Sequence, residues 1–334
     1  MEAEQQAQEQ NLLYDLIATT KADMAKVNSL ILEKIGSDAR LIPDISNHLI
    51  SSGGKRLRPM LTLAAARMFG YQGEKHIALA TAVEFMHTAT LLHDDVVDES
   101  DLRRGRFTAR KIWGNQASVL VGDFLLGQAF KMMVDVGSLP ALDVLSQASA
   151  LIAQGEVMQL TAAHNIDTKE EEYLKIIHAK TAVLFSAATQ VGPIIAEQDE
   201  NTCQALKEYG TNLGLAFQLV DDALDYGGDV KNLGKNVGDD FREGKITLPI
   251  ILSVAKASTT EKKFWKEAFE DKKNDDKALS HALELIHKYN ALEQTILQAK
   301  KYGQKAKDCL KNLPETEQKT ALYNLIDFCV ARLY

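Results

Sequence analysis

Two aspartate clusters set in apolar sequence limit what this chain can fold into. They read DDVVD at 94–98 and DDALD at 221–225, both of the form D-D-x-x-D, and each follows an apolar run. A buried carboxylate without a partner shifts its pKa or requires a counter-ion. The fold must therefore supply cations to two acidic sites that grow out of core-facing segments.

The spacing within each cluster indicates divalent metal binding. On an α-helix the first and last aspartates, at i and i+4, lie on one face, roughly 6 Å apart. Mg²⁺ prefers such oxygen ligands and commonly bridges to phosphate. Two clusters predict two acidic walls that grip a diphosphate through several metal ions. The alternative is an acidic first turn of a helix, where Asp is favoured; two copies in apolar sequence argue against it.

Composition narrows the functional classes. The 334 residues suffice for one large core or two smaller ones, and 46% apolar with 25% charged residues is ordinary for a globular protein. A net charge of −8 argues against a broad nucleic-acid surface. An anionic substrate remains compatible if metals and a few local Lys and Arg reverse the charge at the site.

Targeting signals and membrane spans are not evident. The polar segment 1–10 lacks the pattern of a secretion signal and is compatible with disorder. No uninterrupted apolar run approaches the roughly 20 residues of a membrane span. Three separated cysteines without a C-x-x-C pair indicate reduced thiols in a cytoplasmic protein.

The apolar periodicity predicts one all-α domain over 1–334. The i, i+3, i+4 rhythm recurs through most of the chain, and no alternating strand pattern is evident. The segments 78–92 and 117–129 are apolar on more than one face, as central bundle helices are. The predicted helices are 10–35, 75–98, 113–137, 141–165, 168–191, 199–226, 245–258, 276–311 and 316–333.

A glycine-rich, charged segment interrupts this pattern between Tyr226 and Lys245. It is either a connecting loop or a mobile basic lid, since glycines supply hinges and lids carry ligand contacts. Its position directly after the second aspartate cluster favours the lid.

Cationic groups stand near both clusters. GGKRLRP at 53–59 resembles a short anion-binding loop at a helix start, although Lys/Arg clusters are more often solvated surface. DLRRGR at 101–106 follows the first cluster and supplies either salt-bridge partners or phosphate ligands. His87 lies two turns before Asp94, where a lone His is more often a core residue. Lys180 precedes Thr181 in a predicted helix, and Gln218 lies one turn before Asp221.

Together these motifs resemble the trans-isoprenyl diphosphate synthases, or polyprenyl synthetases, from about residue 20 to the C-terminus. Five motifs occur in the family's order: GGKRLRP, DDVVDESDLRRG, KT at 180–181, FQLVDDALD and GK…GDD…GKITLP. The resemblance implies a large single-domain helical bundle of the isoprenoid synthase type with a central apolar tunnel. It also implies a homodimer with 113–137 and 141–165 at the interface. Phe107 stands where many relatives carry Pro, which puts only the local loop shape in doubt.

The resemblance also assigns roles to individual residues. Asp94 and Asp98 would bind two Mg²⁺ ions on the allylic diphosphate and Asp221 a further one, giving about three per site, with Mn²⁺ as a substitute ion. Asp95, Asp222 and Asp225 would support them. Thr181 and Gln218 would face the developing cation. Cations would bind the diphosphates: Arg103, Lys180 and Lys235 the allylic one, and Lys55, Arg58, Arg104, Lys245 and His87 that of isopentenyl diphosphate.

The implied reaction is head-to-tail prenyl transfer to isopentenyl diphosphate from an allylic primer such as farnesyl diphosphate. On a helix, the residues four and five before Asp94 lie about 6–7.5 Å from it along the axis. These are Thr90 and Ala89, both small, where relatives with short products carry an aromatic residue. The product is therefore expected to be long, about octaprenyl diphosphate, and to serve quinone side chains. Met132 and Met133 are candidates for the tunnel floor and equally compatible with an ordinary core.

Three other functions fit parts of the pattern. A class I terpene cyclase shares the first cluster, but cyclases usually replace the second one, which is intact here. A non-catalytic partner subunit typically loses one cluster. A metal-buffering helical protein does not account for cations beside both clusters.

Overall fold

The described chain is almost entirely helical. The computed structural model describes residues 2–51, 54–103, 105–227 and 237–331. Within these ranges the strands are one antiparallel pair, β1 (Leu102–Arg103) and β2 (Arg106–Phe107). The all-α prediction is confirmed. The helices are α1 Glu2–Lys34, α2 Leu41–Ser51, α3 Leu57–Arg67, α4 Lys75–Val97, α5 Ala109–Trp113, α6 Asn115–Val136, α7 Leu139–Ala162, α8 Glu170–Ile177, a π-turn His178–Ala182, α9 Val183–Ile195, α10 Glu200–Gly227, α11 Asp239–Arg242, α12 Leu248–Lys256, α13 Thr259–Phe269, α14 Asp276–Lys288, α15 Ala291–Cys309 and α16 Glu317–Ala331.

Several helix boundaries differ from the sequence predictions. The single helix predicted over 276–311 is two helices, α14 and α15, because Asn290 adopts a left-handed backbone with φ of 51°. The helices α2, α5, α11 and α13 lie outside the predicted segments, and of α3 only the start was predicted. Pro43 and Pro59 lie in the first turns of α2 and α3, where a missing backbone N–H breaks no helical hydrogen bond. These two prolines therefore mark helix starts.

The chain groups into two compact units. Unit 1 comprises Met1–Ser149, Leu184–Gly210 and Cys309–Leu325, and unit 2 comprises Ala150–Val183, Thr211–Asp308 and Ile326–Tyr334. The first aspartate cluster belongs to unit 1 and the second to unit 2. The single domain expected from the sequence stays a prediction.

The core of unit 1 forms around α4, which packs against α3, α6 and α1. The Ser118 hydroxyl donates to the Leu92 carbonyl at 2.9 Å and ties α6 to the last turns of α4. Gly122 permits this approach, since a Cβ there would lie 2.4 Å from His93 Nε2. The close contact of α4 and α6 fixes the helix end that carries the first aspartate cluster.

The core of unit 2 surrounds the C-terminal part of α10. Leu219 and Val220 are fully buried there with Phe241, Trp265 and Phe269. The Phe241 and Phe269 rings meet edge to face with centroids 5.1 Å apart, a favourable aromatic geometry. These contacts hold the helix end that carries the second cluster.

One described helix, α6, is long and apolar enough to cross a membrane by length and composition alone. Core helices of globular proteins pass the same test, and α6 buries Val121, Leu125 and Ala129 in its packing within unit 1.

Candidate active site

The first aspartate cluster lies at the C-terminal end of α4. Asp94 and Asp95 belong to its last turn, and Asp98 caps it with a backbone N–H that donates to the Asp94 carbonyl at 2.8 Å. A helix C-terminus carries a partial negative charge, and the last turn of α4 contains no basic residue. Carboxylates are disfavoured there unless a cation is present. The cluster therefore lies at a helix end, but not in a first turn, where Asp would be favoured.

The second aspartate of this cluster has a partner within the protein. Asp95 is fully buried, and its Oδ1 accepts from Nε and Nη2 of Arg103, each at 2.9 Å. Burial raises the pKa of the Asp95 carboxyl, and the guanidinium of Arg103 opposes that rise. The strand β1 carries Arg103 to this position. Asp95 thus anchors the hairpin, while Asp94 and Asp98 stay half-buried.

A half-buried cation, Arg58, also lies in unit 1. Arg58 Nη1 lies 3.2 Å from His87 Nε2, and its guanidinium carbon lies 4.3 Å from the centre of the Phe185 ring. Burial lowers the pKa of Arg58 to about 10, against the raising effect of Glu84, so the group stays charged at neutral pH. A guanidinium fixed on an aromatic face is suited to forked contacts with phosphate oxygens.

The loop before this cation has the expected geometry. The helix α3 begins at Leu57, directly after GGKR, so the prediction of a helix start is confirmed. Arg56 precedes it in a left-handed conformation with φ of 47°, and Lys55 is exposed. Backbone N–H groups at a helix start and nearby cations together favour anions.

The second cluster occupies the C-terminal end of α10, whose last turn likewise contains no basic residue. Asp222 is buried and accepts from the Tyr173 hydroxyl at 2.5 Å and from Gln218 Nε2 at 2.7 Å. Burial and the charge of Asp240 raise the pKa of Asp222, while the hydrogen bonds from Tyr173 and Gln218 oppose the rise. Asp221 is half-buried.

The last aspartate of this cluster, Asp225, accepts hydrogen bonds from the backbone just before and within α11. Asp225 Oδ2 accepts from the backbone N–H of Asp240 at 3.1 Å, and its carbonyl accepts from Gly238 at 2.8 Å. Asp225 therefore has a structural role, as its expected supporting function allows.

Lys180 and Thr181 lie in the π-turn between α8 and α9. Such turns are rare and frequently occur at functional sites. Gly155 of α7 lets the two backbones touch, since a Cβ there would lie 2.7 Å from the Lys180 nitrogen. Lys180 Nζ pairs with Glu156 Oε2 at 2.7 Å, and the Thr181 hydroxyl donates to Gln218 Oε1 at 2.8 Å. The π-turn thus directs consecutive side chains to α7 and α10.

Other predicted site residues have mixed outcomes. Lys245 pairs with Glu243 at 2.6 Å. Arg104 and Lys235 lie outside the described residues, as do residues 228–236 of the predicted lid. Tyr173 and Glu156 were not predicted as site residues. Tyr173 lies seven residues before Lys180, about two helical turns, and this spacing was the feature of the sequence that could have identified it.

The residues predicted to control product length lie on α4 and α6 of unit 1. Ala89, Met132 and Met133 are buried, and Thr90 is half-buried. The Thr90 hydroxyl donates to the His87 carbonyl of its own helix at 2.8 Å. This internal bond leaves the methyl group as the apolar part that Thr90 presents to its surroundings.

The carboxylates fit a metal that shares its ligands with a substrate. In the described parts of the chain, no three His, Cys, Asp or Glu side chains converge to hold a metal ion by themselves. Mg²⁺ is usually held by one or two carboxylates together with substrate phosphates. Oxygen donors at helix ends with no basic residue in the last turn match that requirement.

Comparison with known proteins places the chain in a family. The model of the family described as "Polyprenyl synthetase" matches residues 39–286. The chain is 46% identical to octaprenyl diphosphate synthase of Escherichia coli K12, over 94% of this chain and 97% of that protein.

Solved structures agree. A decaprenyl diphosphate synthase from Rhodobacter capsulatus superimposes with a TM-score of 0.93 at 51% identity, covering 96% of this chain and 99% of that one. A polyprenyl synthase from Caulobacter crescentus, complexed with calcium and isoprenyl diphosphate, gives 0.93 at 49% identity, covering 96% and 98%. The chain therefore belongs to the polyprenyl synthetase family, prenyltransferases that condense isopentenyl diphosphate onto allylic diphosphates.

Proposed function

We propose that this chain is a long-chain polyprenyl diphosphate synthase that elongates an allylic diphosphate such as farnesyl diphosphate. The observation that carries the proposal is the repetition of one arrangement. In each cluster a D-D-x-x-D pattern ends a helix without a basic residue in its last turn, and its second aspartate is buried with protein partners. Asp94, Asp98 and Asp221 are then the candidate ligands of a metal-bound diphosphate.

The aspartates supply the metal ligands. Asp94 and Asp98 would hold Mg²⁺ that binds the allylic diphosphate, and Asp221 would hold a further ion, about three in all. When bound, Mg²⁺ withdraws electrons from the diphosphate leaving group. The calcium in the Caulobacter crescentus complex supports a divalent metal at this kind of site.

Cationic side chains complete the charge balance. Arg103, Lys180 and Lys235 neutralise the allylic diphosphate as its carbon–oxygen bond breaks, which is electrostatic stabilisation of a leaving group. Lys180 pairs with Glu156 at 2.7 Å and Arg103 with Asp95 at 2.9 Å, so each cation is held by a carboxylate of its own unit.

A second group of residues binds isopentenyl diphosphate. Arg58 Nη1 donates to His87 Nε2 at 3.2 Å, and the Arg58 guanidinium lies over the Phe185 ring, which restricts its movement. Further cations assigned to this diphosphate are Lys55, Arg104 and Lys245. Thr181 and Gln218 face the allylic cation, whose capture by the isopentenyl double bond forms the new carbon–carbon bond. The reaction requires that water be excluded from the site, and residues 228–236 of the predicted lid lie outside the described residues.

A long product follows from small residues before Asp94. Ala89 and Thr90 leave space where an aromatic side chain would block a growing chain. The named relatives make octaprenyl and decaprenyl diphosphates, which supports a product of about octaprenyl length. Such a product would serve quinone side chains, and Met132 or Met133 would form the floor of the tunnel.

A homodimer is proposed with α6 and α7 at the interface. On α6, Leu120 and Val134 are more than 60% exposed, at 66% and 62%, and with exposed Gly127 they follow a seven-residue spacing along one face. On α7, Leu139 and Val157 are exposed as well. A cytoplasmic location is proposed as well, since Cys203, Cys309 and Cys329 are widely separated and include no C-x-x-C pair.

The function is tested by a product assay. Purified protein is incubated with Mg²⁺, radiolabelled isopentenyl diphosphate and farnesyl diphosphate, and dephosphorylated products are sized by chromatography. The expected result is a ladder that ends near octaprenol. No incorporation by folded protein would overturn the proposal and favour a partner subunit or a cyclase.

The tunnel assignment is tested by Thr90→Phe. Because Thr90 is half-buried, the ring is expected to enter the path of the chain and end the ladder several isoprene units earlier. Thr90→Val is the matched control, since it keeps the size and should leave the ladder unchanged. An unchanged ladder from Thr90→Phe would mean that the product does not pass this residue.

A further inference from the structure

Four side chains of unit 2 form a continuous hydrogen-bond chain. Tyr173 of α8 donates to Asp222 Oδ2 at 2.5 Å, and Gln218 Nε2 donates to Asp222 Oδ1 at 2.7 Å. Thr181 of the π-turn then donates to Gln218 Oε1 at 2.8 Å. Tyr173, Asp222 and Thr181 are buried, so solvent competes little for these bonds.

Asp222 fixes the direction of this chain. A carboxylate only accepts hydrogen bonds, and a carboxylic acid that donates from Oδ2 still accepts at Oδ1. In either state Gln218 must turn its amide nitrogen to Asp222 and its carbonyl oxygen to Thr181. The reverse orientation would set the amide oxygen against a carboxyl oxygen.

The direction decides what Thr181 presents to a substrate. Its hydroxyl hydrogen is committed to Gln218, so the oxygen lone pairs remain for other contacts. An oxygen lone pair that is held toward a positive charge stabilises that charge. A freely rotating hydroxyl could instead turn its hydrogen toward the charge, which is unfavourable. Fixed polarity at Thr181 thus suits an allylic cation.

We propose that Tyr173 is a positioning residue for the prenyl transfer. Its hydroxyl holds the Asp222 carboxyl, which orients Gln218, and Gln218 in turn orients Thr181. The inference rests on the proposed function, because it assumes that Thr181 faces the allylic cation. Tyr173 itself touches no reacting atom in this assignment.

The test is Tyr173→Phe, which keeps the ring and removes the hydroxyl. We expect kcat to fall about tenfold at saturating Mg²⁺, with the KM for isopentenyl diphosphate unchanged, because one oriented dipole is lost. Tyr209→Phe is the matched control, since the buried Tyr209 hydroxyl donates to the Leu322 carbonyl at 2.8 Å in unit 1. It should lower the melting temperature and leave kcat unchanged. An unchanged kcat for Tyr173→Phe would overturn the inference.

A double-mutant cycle separates positioning from stability. If Tyr173 acts through Thr181, Tyr173→Phe should change kcat less than about twofold in a Thr181→Val background. Independent, multiplying losses would contradict the chain, as would a shift of the half-saturating Mg²⁺ concentration, which would assign Tyr173 to the metal site. Wild-type protein without prenyl transfer would refute the proposed function itself. Active wild type with an unaffected Tyr173→Phe would refute only this inference.

Discussion

The two aspartate clusters share one sequence pattern but differ in the side chains that hold their buried second aspartate. Each ends a helix, α4 or α10, and each buries its second aspartate. Asp95 is paired with the guanidinium of Arg103, whereas Asp222 is held by a tyrosine hydroxyl and a glutamine amide. The first cluster uses an ion pair where the second uses neutral donors.

This difference shows that the D-D-x-x-D pattern places carboxyl groups at the end of a helix. The neighbouring side chains then determine how the charge of the buried carboxyl is compensated. Arg103 offsets the charge of Asp95, although Asp94 and Asp98 raise its pKa further. At Asp222 burial and the negative charge of Asp240 both raise the pKa of the carboxyl. The donors Tyr173 and Gln218 are neutral. The second cluster therefore depends more strongly on added cations to hold all its carboxylates ionised.

The largest expected effect is the loss of an aspartate that we propose to bind metal. Asp94→Ala and Asp221→Ala should each lower kcat by about 10³-fold or more, because metal stabilisation of the leaving group contributes several kcal/mol. Steady-state kinetics over a range of Mg²⁺ concentrations measures both variants. Asp271→Ala, in an exposed turn of unit 2, is the control. Near-normal turnover in either cluster variant would break the equivalence of the two clusters.

A smaller effect distinguishes the two buried carboxyls. Arg103→Met removes the ion-pair partner of Asp95 and should lower the free energy of unfolding by about 2–4 kcal/mol. Tyr173→Phe removes one neutral donor from Asp222 and should cost about 1–3 kcal/mol, toward the lower end because Gln218 remains bound. Urea denaturation without substrate compares the two.

The control for this comparison is the double variant Asp95→Asn/Arg103→Met. Replacing both charges should recover part of the stability lost in Arg103→Met, since no buried charge is left unpaired. Equal losses for Arg103→Met and Tyr173→Phe would mean that the two carboxyls are held in equivalent ways.

The sequence predicted the helical class and the acidic helix ends because both depend on local spacing. Apolar periodicity places Asp94 with Asp98 on one helix face, and α4 ends at Val97 as the prediction of 75–98 requires within one residue. The order of the motifs was enough to indicate the family. Such features can be recognised in a single sequence because they repeat with the helical period.

The partners of these residues could not be predicted in the same way. Glu156 reaches Lys180 across 24 residues, and Tyr173 reaches Asp222 across 49. Such contacts depend on how helices pack, and a single sequence does not encode that packing in its periodicity. The π-turn that presents Lys180 escaped prediction as well, because its sequence reads as ordinary helix.

The last expected effect concerns a third buried carboxylate, outside both clusters. Asp23 Oδ2 accepts from Arg67 Nε at 2.7 Å and lies 2.9 Å from His76 Nε2. Burial alone would raise the pKa of Asp23, but the bonds from Arg67 and His76 outweigh it and lower the pKa from 3.8 to about 2. It is the ion-paired case, like Asp95, without neighbouring aspartates.

Because the pKa of Asp23 is lowered on folding, its contribution is present above the unfolded pKa and lost as the pH falls through about 2. A shift of this size corresponds to about 2 kcal/mol. The unfolding free energy of wild type should exceed that of Asp23→Asn by this amount at neutral pH, and the gap should narrow between about pH 4 and 2. Asp271→Asn, which is exposed, should show no such gap. A difference that stays constant down to pH 2 would mean that the ion pair does not stabilise this carboxylate, and would weaken the same interpretation of Asp95.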